Sequence, residues 1–458
     1  MSLLSESSQP VHFVGIAGAG MSALAELLHR RGARVTGCDA NLANAPDLQR
    51  LGITVYGGHD PSHADAAGAL VVTSAMPRDH PEIARARERG IPVIRRAEAL
   101  AEATAGGDVV GIAGTHGKTT TTVMTTEVLR SAGLNPTGIA GGRVGAWNGN
   151  LQLGGERLFV VEADEYDRSF LALTPTVGVV TNVESDHLDI YSDLDDIRNA
   201  FAQFLAPSQT IVLCDDDPGA RSLALPGGRQ VIRYAIRSQE ARLRAAGVRS
   251  VDGGVQFTAV FDGEEVCAVQ LRVPGEHNVL NALAALGSGL ALGADAVRLA
   301  EGLASFMGVE RRFQRIGETR GVMVIDDYAH HPTEIHATLT AARSAYPGRR
   351  IVAAFQPHLF SRTRDFAREF GEALGLADAT YLTEIYPARE QPIAGVTAGL
   401  IADAAAAAGR PVAWLGTRDE LALALSEGAR AGDVILTMGA GDITRSGPEL
   451  LSLLGGTA

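Results

Sequence analysis

The chain has 458 residues, too many for one hydrophobic core, so several domains are expected. Hydrophobic residues at 46%, 53 glycines and a net charge of −13 describe an α/β protein and exclude a nucleic-acid partner, which needs a basic face. Cys38, Cys214 and Cys267 lie far apart with no CxxC pair, which argues against a disulfide framework or a zinc knuckle and fits the reducing cytoplasm.

The N-terminus lacks a basic stretch, and Val11 to Leu28 is interrupted by Gly15, Gly18, Gly20 and Glu26, so neither a signal sequence nor membrane insertion is expected. Val11 to Val14 is a predicted strand, Ser22 to Arg31 a helix, and Arg34 to Gly37 a second strand ending near Asp39. Gly18 to Ala23 satisfies G-x-G-x-x-A, a turn that lets backbone approach a pyrophosphate in front of a helix N-terminus. A dinucleotide or another nucleoside diphosphate would suit it equally. Ala69 to Thr73 is a further strand, Ser74 opens a loop, helices follow at Pro81 to Arg89 and Arg96 to Thr104, and Ala105 to Gly107 is a hinge. The first domain is taken as 1–106.

A second domain, 107–310, opens with the apolar run Val109 to Ala113, the turn Gly114-Thr115-His116-Gly117-Lys118-Thr119-Thr120 and a helix stopped at Gly133. Ile112 occupies the first glycine position of the strict phosphate-loop pattern, leaving a shorter G-x-x-G-K-T-T. Lys118 is the only lysine in the chain. Arginine serves every other cationic position, so a compact ammonium here points to phosphate oxygens, and the turn is read as a nucleoside triphosphate site. The strand Leu158 to Val161 ends in Glu162-Ala163-Asp164-Glu165, where a magnesium ligand belongs. His187 lies among Glu184, Asp186 and Asp189, either as a metal ligand or as an ion-paired histidine, and the phosphate loop favours the ligand. Asp215-Asp216-Asp217 reads as a solvated helix start rather than a metal site. Val248 to Val273 alternates in polarity as a small antiparallel insert. His277, Asn278 and Asn281 open a helix either as caps or as an adenine-reading edge.

The third domain, 311–458, alternates strands and helices again. Its first strand runs into Asp326-Asp327-Tyr328-Ala329-His330-His331, and its second into Gln356-Pro357-His358-Leu359-Phe360-Ser361-Arg362. Neighbouring histidines rarely face the same way, so a polar cluster with arginines suits an amino-acid carboxylate better than zinc. The predicted fold is three doubly wound, Rossmann-like domains, the central one of phosphate-loop ATPase type.

Taken together, Gly15–Met21, Gly114–Thr122, Glu162–Glu165, Thr181–Asp189, His277–Asn281, Arg311–Phe313, Asp326–Glu334 and Phe355–Thr363 resemble, in order, the Mur ligases of peptidoglycan precursor synthesis. The similarity is greatest to members that join L-alanine to UDP-N-acetylmuramate. It implies ATP with magnesium, two ions in all, in the central domain, a UDP-sugar on the first and an amino acid on the third. Carried over, Gly114 to Thr120 with Asn281 and Arg312 would bind ATP, and Thr119, Glu162 and His187 the metals. Gly15, Gly18, Ala19, Gly20, Met21, Asp39 and Ser74 would bind the UDP-sugar; Tyr328, His330 and Arg362 would line the amino-acid site. Lys118, His187, His330 and Arg362 are the catalytic candidates, with His330 as base for the amine. The resemblance also allows a homodimer.

Two positions separate this chain within the family. Leu359 stands where arginine is frequent, which bears on amino-acid affinity. Leu188 to Leu205 contains no lysine, so the carbamylated lysine of downstream members has no counterpart here. The implied reaction is attack of the lactoyl carboxylate on the γ-phosphate and then of the amine on the acyl phosphate. Three other readings stand beside it: a cell-wall tripeptide-recycling ligase, a nicotinamide dehydrogenase using the first domain, and a non-catalytic ATP-binding switch.

Overall fold

A computed structural model describes residues 9–42, 45–73, 76–77, 79–188, 190–251, 253–388 and 390–456. The predicted positions Ser74 and Asp189 lie outside the described residues. Those described within Met1–Gly247, Phe257–Gln270 and Val279–Met307 form one compact unit, and those within Val248–Gln256, Leu271–Asn278 and Gly308–Ala458 a second. No helix among the described residues is long and apolar enough to cross a membrane.

The N-terminal sheet runs in the order Thr54–Gly57, Val35–Asp39, Val11–Val14, Ala69–Val72, Val93–Arg95, all parallel. Val11–Val14 is buried throughout, as a central strand covered on both faces must be. Strand order reverses beside it, so the turn that follows at Gly15 opens at the switch point where such sheets bind ligands. The helix starts three residues earlier than the sequence suggests, at Ala19, with Gly18 as its cap.

Ten strands make the central sheet. Asp108–Ala113 lies between Val177–Val180 and Leu158–Glu162, parallel to both. Three segments therefore leave the same sheet edge side by side: the phosphate loop, the acidic turn from Glu162 and the run from Thr181 to His187. The predicted insert within the central domain continues its sheet. Leu243–Val251, Gly254–Phe261 and Glu264–Leu271 lengthen this sheet at one end.

The C-terminal sheet is parallel except for the edge strand Gln314–Thr319. Val434–Met438 separates Val322–Asp327 from Ile351–Phe355, so both predicted polar clusters, at Asp326 and at Gln356, leave one edge. Ile325, Ala353, Phe355, Leu382 and Leu436 pack into the core on one face, while Val324, Ala354 and Ile435 serve the other.

Candidate active site

The phosphate loop needs its glycines. Gly114 sits at φ +145°, and a β-carbon there would fall 1.9 Å from Thr181 Oγ1. Gly117, at φ +79°, caps the helix Lys118–Ser131, and a β-carbon would come within 2.6 Å of Asn281 Oδ1. The loop is braced from the neighbouring strand end. His116 donates its N–H to Asn182 Oδ1 at 2.7 Å, Thr181 and Asn182 donate to the His116 carbonyl, and Glu184 donates its N–H to Thr115 Oγ1. What stays available is the helix N-terminus, whose first N–H groups have no acceptor within the helix. Thr119 and Thr120 are buried in that first turn.

Lys118 curls back over the loop. Its Nζ donates to the Gly114 carbonyl at 2.7 Å and the Thr115 carbonyl at 3.1 Å, and lies 2.8 Å from Glu165 Oε2. Burial opposes its charge, but Glu165, Asp164 and Glu162 outweigh burial and hold the ammonium above the ordinary lysine range. Burial, reinforced by Asp164 and opposed by Lys118, pushes Glu165 up to about 7. Glu162 turns to a different partner. It accepts from Thr119 Oγ1 at 3.1 Å and from the Gly141 N–H at 2.6 Å.

The predicted metal residues thus occupy two adjoining places. Thr119 and Glu162 are in direct contact, whereas His187 Nε2 lies 3.8 Å from Glu165 Oε1 and 3.9 Å from Asp186 Oδ2. His187 itself adopts φ +55° and packs edge-on to Tyr166. A hydroxyl and a carboxylate form the oxygen donor set that a hard divalent ion takes, so the residues fit magnesium. Asn281 accepts from Thr121 Oγ1 at 3.1 Å and borders Gly117; Asn278 donates to the Pro274 carbonyl instead, as a cap.

The acidic triplet organises a loop. Asp217 accepts from the N–H groups of Ala220 and Val183, Asp215 pairs with Arg233, and Asp216 accepts from the N–H groups of Ile236 and Ser238. It caps a helix, as predicted, but Asp215 is buried rather than solvated.

At the N-terminal glycine turn, Asp39 accepts from the Ala17 N–H at 2.9 Å and the Asn41 N–H at 2.9 Å. The predicted ribose acid therefore holds the glycine turn itself. Gly15 adopts φ +83°, and the Ala19 carbonyl accepts from Asn150 Nδ2. Met21 is buried in the core, so only its backbone can face a ligand. Sequence reasoning passed over Arg96: a β-carbon on Gly20 would lie 2.9 Å from its guanidinium. That places a cation beside the glycine turn.

In the second unit, Arg311 and Arg312 both lie over the Tyr328 ring, at 4.9 and 5.0 Å from its centroid. Arg311 also pairs with Asp326 and donates to the Gly439 carbonyl, while Arg312 lies 3.8 Å from Glu334 Oε1. His330 Nδ1 is 2.9 Å from the Tyr328 carbonyl and 3.2 Å from Glu334 Oε2. Two acceptors at Nδ1 place the proton there, leaving Nε2 as the basic nitrogen. His331 caps the helix Pro332–Ala345. Arg362 is buried in the short helix Phe360–Asp365, which Leu359, itself buried at φ +71°, introduces. Asp327 accepts from the N–H groups of Phe313 and Ala329, and burial pushes it up to about 6 against the nearby Arg312.

Known proteins resemble this chain over nearly its full length. The Mur ligase family catalytic domain matches residues 10–107, the Mur ligase middle domain 112–289 and the Mur ligase glutamate ligase domain 311–441. UDP-N-acetylmuramate–L-alanine ligase of Kineococcus radiotolerans is 48% identical, covering 97% of this chain and 96% of that one. The protein of the same name from Streptomyces coelicolor is 46% identical, covering 97% of each. Among solved structures, UDP-N-acetylmuramate-alanine ligase from Thermotoga maritima superposes with a TM-score of 0.85 at 29% identity, covering 98% of this chain and all of that one. A murein peptide ligase from Psychrobacter arcticus gives 0.74 at 27% identity, over 98% of this chain and all of that one. With three matching domains in order and near-complete coverage, the chain belongs to the Mur ligase family.

Proposed function

We propose that this enzyme joins L-alanine to the lactoyl carboxylate of UDP-N-acetylmuramate, cleaving ATP to ADP and phosphate. The observation that carries the chemistry is Lys118, held over the phosphate loop beside the Thr119–Glu162 pair. The choice of substrates is supported by the relatives at 46–48% identity over nearly their full length. In this reading residues 1–106 carry the UDP-sugar, 107–310 the nucleotide and 311–458 the amino acid. The setting is the cytoplasm, and the resemblance allows a homodimer.

Thr119 and Glu162 would hold one magnesium and His187 would help with a second, supplying positive charge to the phosphates. The chain's own groups do the rest. A carboxylate oxygen bonds to the γ-phosphorus as the β,γ-bridging bond breaks and ADP leaves. Two anions must meet, and Lys118 with the helix N-terminus lowers that repulsion. The alanine nitrogen then bonds to the acyl carbon, the bond from that carbon to the phosphate oxygen breaks, and inorganic phosphate departs. Nε2 of His330 takes the amine proton, with Glu334 and the Tyr328 carbonyl orienting the ring. Arg362 pairs with the alanine carboxylate, and Gly15, Gly18, Ala19, Gly20 and Arg96 receive the diphosphate of the sugar nucleotide.

Phosphate release with UDP-N-acetylmuramate across a panel of amino acids tests the assignment. L-alanine should support turnover, and the tripeptide used in cell-wall recycling should not. Preference for the tripeptide would make this a recycling ligase instead. NADH binding would favour a dehydrogenase, and nucleotide binding without phosphate release a switch protein.

A further inference from the structure

Away from the nucleotide loop, the N-terminal sheet carries a cluster that ligase chemistry does not use. His12 on strand Val11–Val14, Cys38 on strand Val35–Asp39, His63 in the segment Pro61–Ala66 and Glu82 in the helix Pro81–Glu88 converge. One donor atom from each lies within 4.8 Å of all the others. We propose that His12 Nε2, Cys38 Sγ, His63 Nδ1 and the Glu82 carboxylate form a structural binding site for a single divalent zinc-type cation.

Spacing supports this. Zinc bonds of about 2.0–2.1 Å to nitrogen or oxygen and about 2.3 Å to sulfur set neighbouring ligands of a tetrahedron roughly 3.3–3.6 Å apart. Cys38 Sγ is 3.2 Å from each Glu82 oxygen, His63 Nδ1 is 3.3 Å from Glu82 Oε1, and His12 Nε2 is 3.5 Å from Glu82 Oε2. Sulfur with two imidazoles is a poor set for magnesium or calcium and a good one for zinc.

Orientation supports it too. Thr36 Oγ1 lies 2.9 Å from His12 Nδ1 and turns Nε2 inward, as an outer partner of a metal-bound histidine does. His12 is fully buried, and its Nε2 faces the Glu82 carboxylate at 3.5 Å without hydrogen-bond geometry. The competing reading is a hydrogen-bonded network around Glu82, which accepts from Cys38 and from the Asp60 N–H. It gives the inward nitrogen of His12 only the long 3.5 Å contact with Glu82 Oε2, short of the close pairing that buried polar atoms adopt. A cation would satisfy it. On binding, the Cys38 thiol loses its proton to solvent, and thiolate plus carboxylate balance the charge of a dication at a buried site. His59, with Nδ1 at 3.3 Å from Cys38 Sγ and a side chain 22% exposed, stands where an ion would enter.

The test uses the full chain, stripped with a chelator and kept in excess magnesium to fill oxygen-rich sites. Cobalt(II) should bind at one equivalent and produce a thiolate-to-cobalt charge-transfer band that zinc abolishes. Cys38→Ser should lose the band, and Glu82→Gln should weaken zinc binding by at least about 10-fold. The double variant Cys214→Ser, Cys267→Ser should keep the band, which identifies the sulfur even where Cys38→Ser fails to fold. Zinc should also raise the thermal midpoint of the wild type. A folded wild-type chain without the band, or a band that survives in Cys38→Ser, would overturn the proposal.

Discussion

Lys118 Nζ lies 2.8 Å from Glu165 Oε2, with Glu165 buried and Lys118 largely enclosed above the phosphate loop. The ammonium that should meet phosphate already has an anion against it. Phosphate oxygens would replace one counter-charge with another, so a buried cation is never left alone.

This arrangement predicts strong coupling. Lys118→Ala and Glu165→Gln should each destabilise the nucleotide-free protein by roughly 3 kcal/mol, as breaking a buried pair does. The double variant should lose clearly less than the sum. Urea unfolding of the four proteins checks it, and additive losses would contradict the pairing. Magnesium ATP should also raise the melting temperature of Glu165→Gln more than that of the wild type, because phosphate supplies the missing charge.

Turnover should depend on an ammonium in particular. Lys118→Ala should lower phosphate release by about 10²–10³-fold, the scale for losing one preorganised donor. Lys118→Arg should fail comparably, since the planar fork cannot reproduce the paired carbonyl and carboxylate contacts. Normal turnover in Lys118→Arg would remove the lysine from the mechanism.

Arg96 should act on binding. Arg96→Ala should raise KM for UDP-N-acetylmuramate about 10-fold, the worth of one charge-assisted contact, with kcat little changed. A kcat effect without a KM effect would place Arg96 elsewhere.

If His330 receives the amine proton, His330→Asn should reduce alanine-dependent turnover by about 10²–10⁴-fold. Isotope exchange through the acyl phosphate should persist, because the first step does not need the imidazole. Equal loss of both steps would contradict this role.

Acid should weaken the fold through His277. Burial, with Arg312 nearby, lowers its pKa from 6.5 to about 4. The unfolded chain then binds a proton that the folded chain refuses, so stability is lost as pH falls from about 6.5 toward 4. Asp327, raised to about 6, works in the opposite direction below that pH. His277→Asn should therefore flatten the decline in urea midpoint between neutral and mildly acidic pH, and an unchanged slope would refute the linkage.

Much of this architecture was legible in the sequence because glycine and lysine leave distinct marks. Gly114 and Gly117 take backbone angles and approaches that other residues resist, and the only lysine marked the loop between them. Tertiary partners were not legible. Nothing local tells which of Glu162, Asp164 and Glu165 turns to the lysine and which to Thr119, because that depends on the turn beyond the strand. Arg96 is far in sequence from the glycine turn it overhangs, so it read as an ordinary helix start. The acids at 215–217 looked solvated because their partners, such as the N–H groups of 236–238 that Asp216 serves and Arg233 that pairs with Asp215, come from a different strand.

The most direct test of the central claim is to label the lactoyl carboxylate of UDP-N-acetylmuramate with ¹⁸O and analyse the phosphate released on turnover with L-alanine. An acyl-phosphate route predicts one labelled oxygen in each phosphate, with labelled phosphate formed about 10²–10³-fold more slowly in Lys118→Ala. Wild-type turnover that releases only unlabelled phosphate would mean the carboxylate is never phosphorylated, and the account would fall.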